Sequence, residues 1–311
     1  MPSFSRRVPR WLRTILLIIV CLVAAVLLTA ASAWMYFNPS VDRTDGVVYS
    51  QRRGTNLTMD IIRPRHPNGL AIALMVSGGW RSKKAGETPV WLMAPVLRAV
   101  YTVYAICHNS QPGETVTEIM QDMHRGIRFV RYHAKEYGID PNRIGVTGGS
   151  AGGHLGLILA TRGGPGDPNA PDPIDRESSA VQAAALFYPV TDLLNLGPST
   201  EYTGPGRPPK SFIKAFGVEH ATLDEWTVIG RDASPIYFIT KNMAPTLIYH
   251  GDADTLVPLE QSQRFRAKAA ELGIDVPLVV HPGGRHGWPT MLFDEFHFIR
   301  WFDEHLKAPK S

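Results

Sequence analysis

Residues 145–155 read GVTGGSAGGHL, so that Ser150 lies in a run of small residues. Gly148, Ser150 and Gly152 form the pattern G-x-S-x-G, which is typical of a nucleophile elbow, a tight strand-to-helix turn that exposes a serine hydroxyl above a sheet. The alternative is a glycine-rich turn that binds phosphate, although the run lacks the lysine of a P-loop and does not match G-x-G-x-x-G. The pattern alone leaves the choice open, because a serine nucleophile needs a base and an orienting acid.

Two later loops contain an acid and a histidine in the chain order Ser, Asp, His that a hydrolase of this type requires. The run TLIYHGDADTLVP carries Asp252 and Asp254 after a strand, and PLVVHPGGRHGW carries His281 and His286 after the next. We predict Asp254 as the acid, because it lies further from its strand end, and His286 as the base, because its loop is rich in glycine. Asp252 is predicted to brace its turn, and His281 to be partly buried.

An early run, MVSGGW, ends a strand at Ser77-Gly78-Gly79-Trp80 and is a candidate for an oxyanion hole. Glycines let backbone N–H groups approach a developing oxyanion closely. One donor is expected from Ala151, the residue after the nucleophile, and the other from Gly78 or Gly79. This set of residues implies neither a metal nor a cofactor.

Apolar runs of strand length alternate along the chain with helical patterns, which predicts an α/β fold with a mostly parallel central sheet and helices on both faces. The first two runs are predicted to form an antiparallel edge. Residues 194–234 interrupt the alternation and are predicted to be an insertion that shapes a pocket. The predicted strands are Val47–Gln51, Leu57–Arg63, Leu70–Val76, Tyr101–Cys107, Ile144–Thr147, Ala180–Tyr188, Thr246–Tyr249 and Pro277–Val280, and the predicted helices are Val116–Tyr137, 154–161, Leu259–Leu272 and Met291–Leu306.

Trp80, Tyr188 and Trp288 are candidates for an aromatic substrate pocket. Each is equally compatible with ordinary packing. Cys21 lies in the N-terminal apolar run and Cys107 ends an apolar strand, so the rest of the chain cannot form an internal disulfide.

The N-terminal region combines a basic flank, residues 1–13, with 21 uncharged residues, Thr14–Trp34. A helix of that length is about 30 Å long and can cross a bilayer core. Arginines on its N-terminal side predict that residues 46–308, the proposed catalytic domain, lie on the extracytoplasmic side after a linker at 35–45. The alternative is a secretory signal cleaved near Ala33, which would release the protein.

The net charge of +4 does not indicate nucleic-acid binding. Arg6, Arg7, Arg10 and Arg13 all precede the first acidic residue, and the other 28 of the 32 Lys and Arg equal the 28 Asp and Glu in number. The predicted globular part is therefore neutral, with no basic stripe for a phosphate backbone.

The chain resembles the α/β-hydrolase superfamily, and in particular its feruloyl-esterase-like and acetyl-esterase-like group, which is related to prolyl-oligopeptidase-type catalytic domains. The resemblance covers about residues 46–306 and rests on GGWRS, GVTGGSAGGHL, ASPIYFIT, HGDADTLVPLEQS and RHGW. It implies Ser150 as nucleophile, Asp254 as acid, His286 as base, and Gly79 with Ala151 as oxyanion donors. One departure is that Val76-Ser77 stands where relatives have His-Gly, so the usual histidine brace of the oxyanion loop is missing.

The resulting expectation is a serine hydrolase that cleaves small-molecule carboxylic esters through an acyl-enzyme. A serine peptidase of prolyl-oligopeptidase type is an alternative, although only about 45 residues precede the predicted core. A membrane-tethered binding protein without activity is a second alternative, which the Val76-Ser77 departure favours and the order of Ser, Asp and His disfavours.

Overall fold

The computed structural model describes residues 9–307, so Arg6, Arg7 and residue 308 of the predicted segments lie outside the described residues. Its helices and strands are numbered here in chain order. They are α1 (Arg10–Phe37), β1 (Val41–Arg52), β2 (Thr55–Pro64), β3 (Ala71–Met75), α2 (Ala94–Arg98), β4 (Thr102–Ile106), α3 (Val116–Tyr132), α4 (Ala134–Tyr137), β5 (Ile144–Gly149), α5 (Ala151–Arg162), β6 (Ala183–Phe187), α6 (Leu223–Asp232), β7 (Thr246–Gly251), α7 (Glu260–Ala270), β8 (Leu278–His281) and α8 (Met291–Leu306).

The eight strands form one sheet in the order β1-β2-β4-β3-β5-β6-β7-β8. Six adjacent strands, β4-β3-β5-β6-β7-β8, pair in parallel. At the other end of the sheet, β2 is antiparallel to β4, and the edge strand β1 is antiparallel to β2. The prediction of a mostly parallel sheet with an antiparallel edge is confirmed. The central strands β3, β4, β5 and β6 are buried almost throughout, which explains why they read as continuous apolar runs.

Helices cover both faces of the sheet, as predicted, because successive strand residues point to opposite sides. Along β3, for example, Ala73 and Met75 belong to a core shared with α3, α5 and α7, whereas Ile72 and Leu74 belong to a second core shared with α2 and α8. The C-terminal end of the N-terminal helix contacts the face that carries α2 and α8.

Three predicted boundaries are wrong. The helix expected over Val116–Tyr137 breaks at His133, and the strand expected over Ala180–Tyr188 is limited to β6. The predicted linker at 35–45 is only three residues long, because α1 continues to Phe37 and the polar residues from Val41 onwards pair with β2 as an edge strand. The predictions also missed α2 and α6, the second of which begins at a capping box formed by Thr222 and Glu225 within the insertion.

The helix expected at Thr14–Trp34 is confirmed and extends over the 28 residues of α1, none of which is buried against the rest of the protein. Its length and composition are sufficient to cross a membrane, and a signal sequence would satisfy the same criteria. Its C-terminal end contacts the globular part directly. The Arg98 guanidinium donates hydrogen bonds to the carbonyl oxygens of Met35 and Tyr36, and the Tyr36 ring lies 6.1 Å from the ring of Phe296 on α8.

Candidate active site

Ser150 lies in the single-residue turn between β5 and α5 with φ 55° and ψ −121°. A residue with a side chain rarely adopts this region of the backbone map, and its cost is on the order of 1–3 kcal/mol. The flanking glycines make the turn possible. A Cβ at Gly148 would lie 2.6 Å from the carbonyl oxygen of Gly152, and a Cβ at Gly152 would lie 2.5 Å from that of Met75. The pattern G-x-S-x-G is therefore a steric requirement of this turn.

Ser150, His286 and Asp254 form a continuous hydrogen-bonded chain. The His286 ring is 2.8 Å from the Ser150 Oγ through Nε2 and 2.7 Å from Asp254 Oδ2 through Nδ1. The carboxylate can only accept a hydrogen bond, so the network assigns the proton to Nδ1 and leaves Nε2 free to accept from the serine hydroxyl. The structure thus brings together the three side chains predicted to act, from three separate loops.

The buried carboxylate of Asp254 is held in place by its own loop. Its Oδ1 accepts hydrogen bonds from the N–H groups of Leu256 at 2.9 Å and Val257 at 3.0 Å, while Oδ2 faces His286. Behind it, His250 is fully buried and lies between Ser262 and the carbonyl oxygen of Val257, each 2.7 Å away. Burial lowers the pKa of His250, which keeps it neutral and makes it a scaffold for the acid loop.

The other acid and histidine of these loops, Asp252 and His281, do not line the cavity beside Ser150. Asp252 accepts a hydrogen bond from the N–H of Gly283 at 2.7 Å, so it ties the acid loop to the histidine loop. His281 stacks on Trp288 with a ring separation of 4.7 Å.

Of the two candidate donors in the loop after β3, only Gly79 has a free N–H group in the described residues. The N–H of Gly78 is 2.9 Å from the carbonyl oxygen of Arg81 and donates to it, so this candidate for the oxyanion hole is wrong. Gly79, with φ 55°, forms no backbone N–H hydrogen bond within residues 9–307. Ala151 is the first residue of α5, where N–H groups have no intrahelical partner. The pair of free donors beside Ser150 is thus Gly79 and Ala151.

His154, a residue that the sequence analysis missed, connects the loop after β3 to the rest of the domain. The Trp80 indole N–H donates to Nδ1 of His154 at 3.1 Å, and Nε2 of His154 donates to the carbonyl oxygen of Ala233 at 2.7 Å. His154 is completely buried, and burial lowers its pKa to about 4, so it stays neutral with both nitrogens engaged. Val76 instead packs into the apolar core on the other face of the sheet. The signal in the sequence was a histidine one helical turn after Ser150.

A cavity of about 460 Å³ opens beside Ser150, and its lining includes His286 and the Gly79 loop. The inserted segment supplies Leu196 and Phe212, so its predicted role in forming a pocket is consistent with its position. Of the three predicted pocket aromatics, Trp80 and Tyr188 line the cavity and Trp288 does not. The indole N–H of Trp288 donates to Asp294 at 2.6 Å, which holds that ring in the core behind the histidine loop.

The aromatic ring of Tyr188 packs 4.6 Å from the His286 ring and fixes one side of it. Burial raises the pKa of Tyr188 to about 12, so the phenol stays neutral beside the histidine. Within the part of the chain that the structure describes, no group of three or more His, Cys, Asp or Glu side chains is arranged to hold a metal ion.

Comparison with known proteins places this site in an established family. Residues 59–269 match the family model described as BD-FAE. Over 203 residues the chain is 30% identical to "Esterase LipQ" of Mycobacterium tuberculosis, a match that covers 65% of this chain and 46% of the relative. The chain spans about half the length of the curated relatives that it matches first, with 46%, 42% and 52% of their lengths covered.

Solved structures resemble the fold over a larger share of their length. A structure described as a truncated carbohydrate esterase from gut microbiota aligns with a TM-score of 0.70 and 25% identity, covering 86% of this chain and 97% of that one. Thermogutta terrifontis esterase 2 with bound butyrate aligns with a TM-score of 0.64 and 26% identity, covering 88% and 96%. The matched region runs from β2 to α7 and includes Ser150 and Asp254. The chain therefore belongs to the BD-FAE family, within the α/β-hydrolase esterase group.

Proposed function

We propose that this protein is a serine hydrolase that cleaves carboxylic esters through an acyl-enzyme. The observation that carries the proposal is the chain of two short hydrogen bonds that joins Ser150, His286 and Asp254. A hydroxyl is a weak nucleophile until a base accepts its proton, and a buried carboxylate stabilises the imidazolium that then forms. The esterase names of the relatives and the apolar cavity beside Ser150 support the same function.

In the first half-reaction, Ser150 Oγ attacks the ester carbonyl carbon while its proton passes to Nε2 of His286. The carbonyl oxygen becomes an oxyanion, which the N–H groups of Gly79 and Ala151 stabilise, each worth about 3 kcal/mol in the barrier. The N-terminal end of α5 adds a favourable dipole. The intermediate then expels the alcohol, which takes the proton from His286 and leaves Ser150 acylated.

In the second half-reaction, water gives a proton to Nε2 of His286 as its oxygen attacks the acyl-enzyme. The same two N–H groups stabilise the second oxyanion. Its collapse breaks the bond to Ser150 Oγ, which recovers the proton from His286, and the carboxylic acid leaves. Asp254 keeps its negative charge throughout and holds the tautomer of His286.

We also infer that α1 anchors the enzyme in a membrane, with the catalytic domain on the extracytoplasmic side. Its uniformly apolar surface has no contact with a protein core along most of its length, and its Arg10 and Arg13 lie at the end expected to face the cytoplasm.

The function is tested directly at the proposed nucleophile. The protein is expected to hydrolyse p-nitrophenyl acetate and to be labelled by a fluorophosphonate, and Ser150→Ala is expected to abolish the labelling and lower kcat by roughly 10⁵-fold or more. The same protein is also assayed with an aminoacyl p-nitroanilide. Faster hydrolysis of this substrate than of p-nitrophenyl acetate would indicate the peptidase alternative. Labelling that persists in Ser150→Ala would disprove the assignment.

The acid is tested by comparing two aspartates of one loop. Asp254→Asn removes the acceptor that fixes the tautomer of His286, so kcat is expected to fall by roughly 10³–10⁴-fold. Asp252→Asn makes the same chemical change two positions earlier in the loop, at a side chain that accepts a hydrogen bond from the N–H of Gly283 and does not contact His286. This variant should keep kcat within a few-fold of the wild type. Equal losses in the two variants, measured by steady-state kinetics with p-nitrophenyl acetate, would contradict the assignment.

The role of His154 and Trp80 in positioning the oxyanion loop is tested by Trp80→Phe. The change keeps an aromatic ring but leaves Nδ1 of His154 buried without a donor, a cost of about 1–3 kcal/mol. We expect kcat to fall roughly tenfold with little change in KM, because the loop stabilises the oxyanion of the transition state more strongly than it stabilises the bound substrate. The matched control is Trp226→Phe, since the indole nitrogen of that buried residue has no hydrogen-bond partner within residues 9–307. A similar fall in kcat for both variants would assign the effect to packing.

Anchoring is tested by fractionation of cells that express the full chain. Intact protein is expected in the membrane pellet after washes with high salt and with carbonate, because a spanning helix resists both. Sequencing of the N-terminus gives the second measurement. A soluble species that begins near Trp34 would support the cleaved-signal alternative and refute the anchor.

A further inference from the structure

A second cavity, of about 550 Å³, adjoins the first at residues next to Ser150. The two cavities share four lining residues, Ser77, Gly78, Gly149 and Tyr188, which surround Ser150 and the oxyanion loop. From there the second cavity extends over the ends of β3 and β5 towards α8, on the opposite side from the inserted segment. Its volume is in the range of pockets that bind small molecules.

The walls of the second cavity are largely apolar. They include Val76, Leu92, Phe187 and Leu292, which come from the end of β3, the turn before α2, β6 and α8. Glu295 also lines it and is 7% exposed, and its Oε2 has no hydrogen-bond partner within the described residues. Burial raises the pKa of Glu295 well above its usual range, so the carboxyl is neutral. Arg81 and Lys83 also line the cavity, but both side chains are exposed, so their charges face solvent rather than the apolar interior. An uncharged hydrocarbon chain fits such a space.

The position of His286 assigns the two halves of an ester to the two cavities. The leaving alcohol must lie within reach of Nε2 of His286, because this atom returns the proton. His286 lines the first cavity together with Ser150, Gly79 and Ala151, and none of these four residues lines the second, so the reacting carbonyl lies in the first cavity next to the junction of the two. The acyl group, which stays bonded to Ser150, therefore extends away from the histidine and into the second cavity.

The second cavity also lies on the side of the domain where α1 ends. α1 contacts α2 and the turn Val90–Met93, and its Tyr36 contacts Phe296 of α8. Three residues separate α1 from β1, a distance of at most about 10 Å, so this side cannot move far from a membrane that α1 spans. Large apolar side chains are exposed on the same elements, namely Trp91 at 47% and Phe293 at 58%. Exposed aromatic residues next to a spanning helix are suited to the headgroup region of a bilayer.

From these observations we propose that the second cavity is the binding site for the long acyl chain of an ester that resides in the membrane, and that the chain enters between α8 and the turn Val90–Met93. The proposal rests on the proposed ester hydrolase activity and on the anchor. It assigns the substrate class as a lipid ester, whose hydrocarbon moves from the bilayer to the cavity without crossing water.

The experiment compares two esters with the same leaving group, using the full-length protein reconstituted in phosphatidylcholine vesicles. One substrate is soluble 4-methylumbelliferyl butyrate, and the other is 4-methylumbelliferyl oleate dissolved in the vesicle membrane. Leu292→Trp fills the cavity near its entrance. We expect this variant to hydrolyse the oleate ester at least tenfold more slowly than the wild type, and the butyrate ester within about threefold, because burial of each methylene contributes about fourfold to binding.

Leu92→Trp, on the turn Val90–Met93, fills the cavity from another wall and should give the same selective loss. The matched control is Leu223→Trp on α6, where the leucine is 52% exposed and lines neither cavity, so both rates should stay at the wild-type level. Fluorophosphonate labelling verifies that each variant retains an intact Ser150.

The outcomes separate this proposal from the one on which it rests. Wild-type protein that hydrolyses the butyrate but not the membrane-dissolved oleate would overturn the acyl site while leaving the ester hydrolase intact. Unchanged oleate rates in both filling variants, or an equal loss on both esters, would also overturn it. A wild-type protein that hydrolyses neither ester would instead refute the proposed function.

Discussion

Ser150 occupies a backbone conformation that a residue with a side chain adopts only when its surroundings enforce it. Three hydrogen bonds fix the turn. The N–H of Ser150 donates to Phe187 at the end of β6, the N–H of Gly152 donates to Ser77 in the oxyanion loop, and the N–H of His154 donates to Ser150 itself. The first two bonds join the turn to a neighbouring strand and to the loop that carries Gly79. The strain at the serine and the geometry of the proposed oxyanion hole are therefore set by the same contacts.

The parallel sheet brings the loops that carry His286 and Asp254 next to the Ser150 turn. Gly149 is paired with Phe187, Phe187 with Tyr249, and Gly251 with His281, so β5 to β8 end at nearly the same level. Loops that leave these ends are neighbours although they are far apart in sequence. Ser150 and His286 are 136 positions apart and still form a hydrogen bond, because each lies just beyond the end of its strand.

The parts of this arrangement that follow from local patterns were predictable. Apolar runs located the buried strands. Because Ser150, Asp254 and His286 each follow one of these strands, they were expected to lie together at one edge of the sheet. The choice between Gly78 and Gly79 was not predictable, because it depends on whether an N–H is used by Arg81 across the loop. Nor was the pairing of Trp80 with His154, which lie 74 positions apart and meet only when α5 packs under the oxyanion loop. The short α2 was missed since its five residues give too little periodicity.

The histidines near the site divide their roles according to burial. His154 and His250 are fully buried, burial lowers the pKa of each, and both ring nitrogens of each have hydrogen-bond partners. Protonating either one would require a charge in the core and would break a bond that holds the oxyanion loop or the acid loop. The side chain of His286 is 26% exposed and has a carboxylate ready to stabilise its charge. Of the three, only His286 faces Ser150, and in the proposed mechanism it is the one that accepts the serine proton.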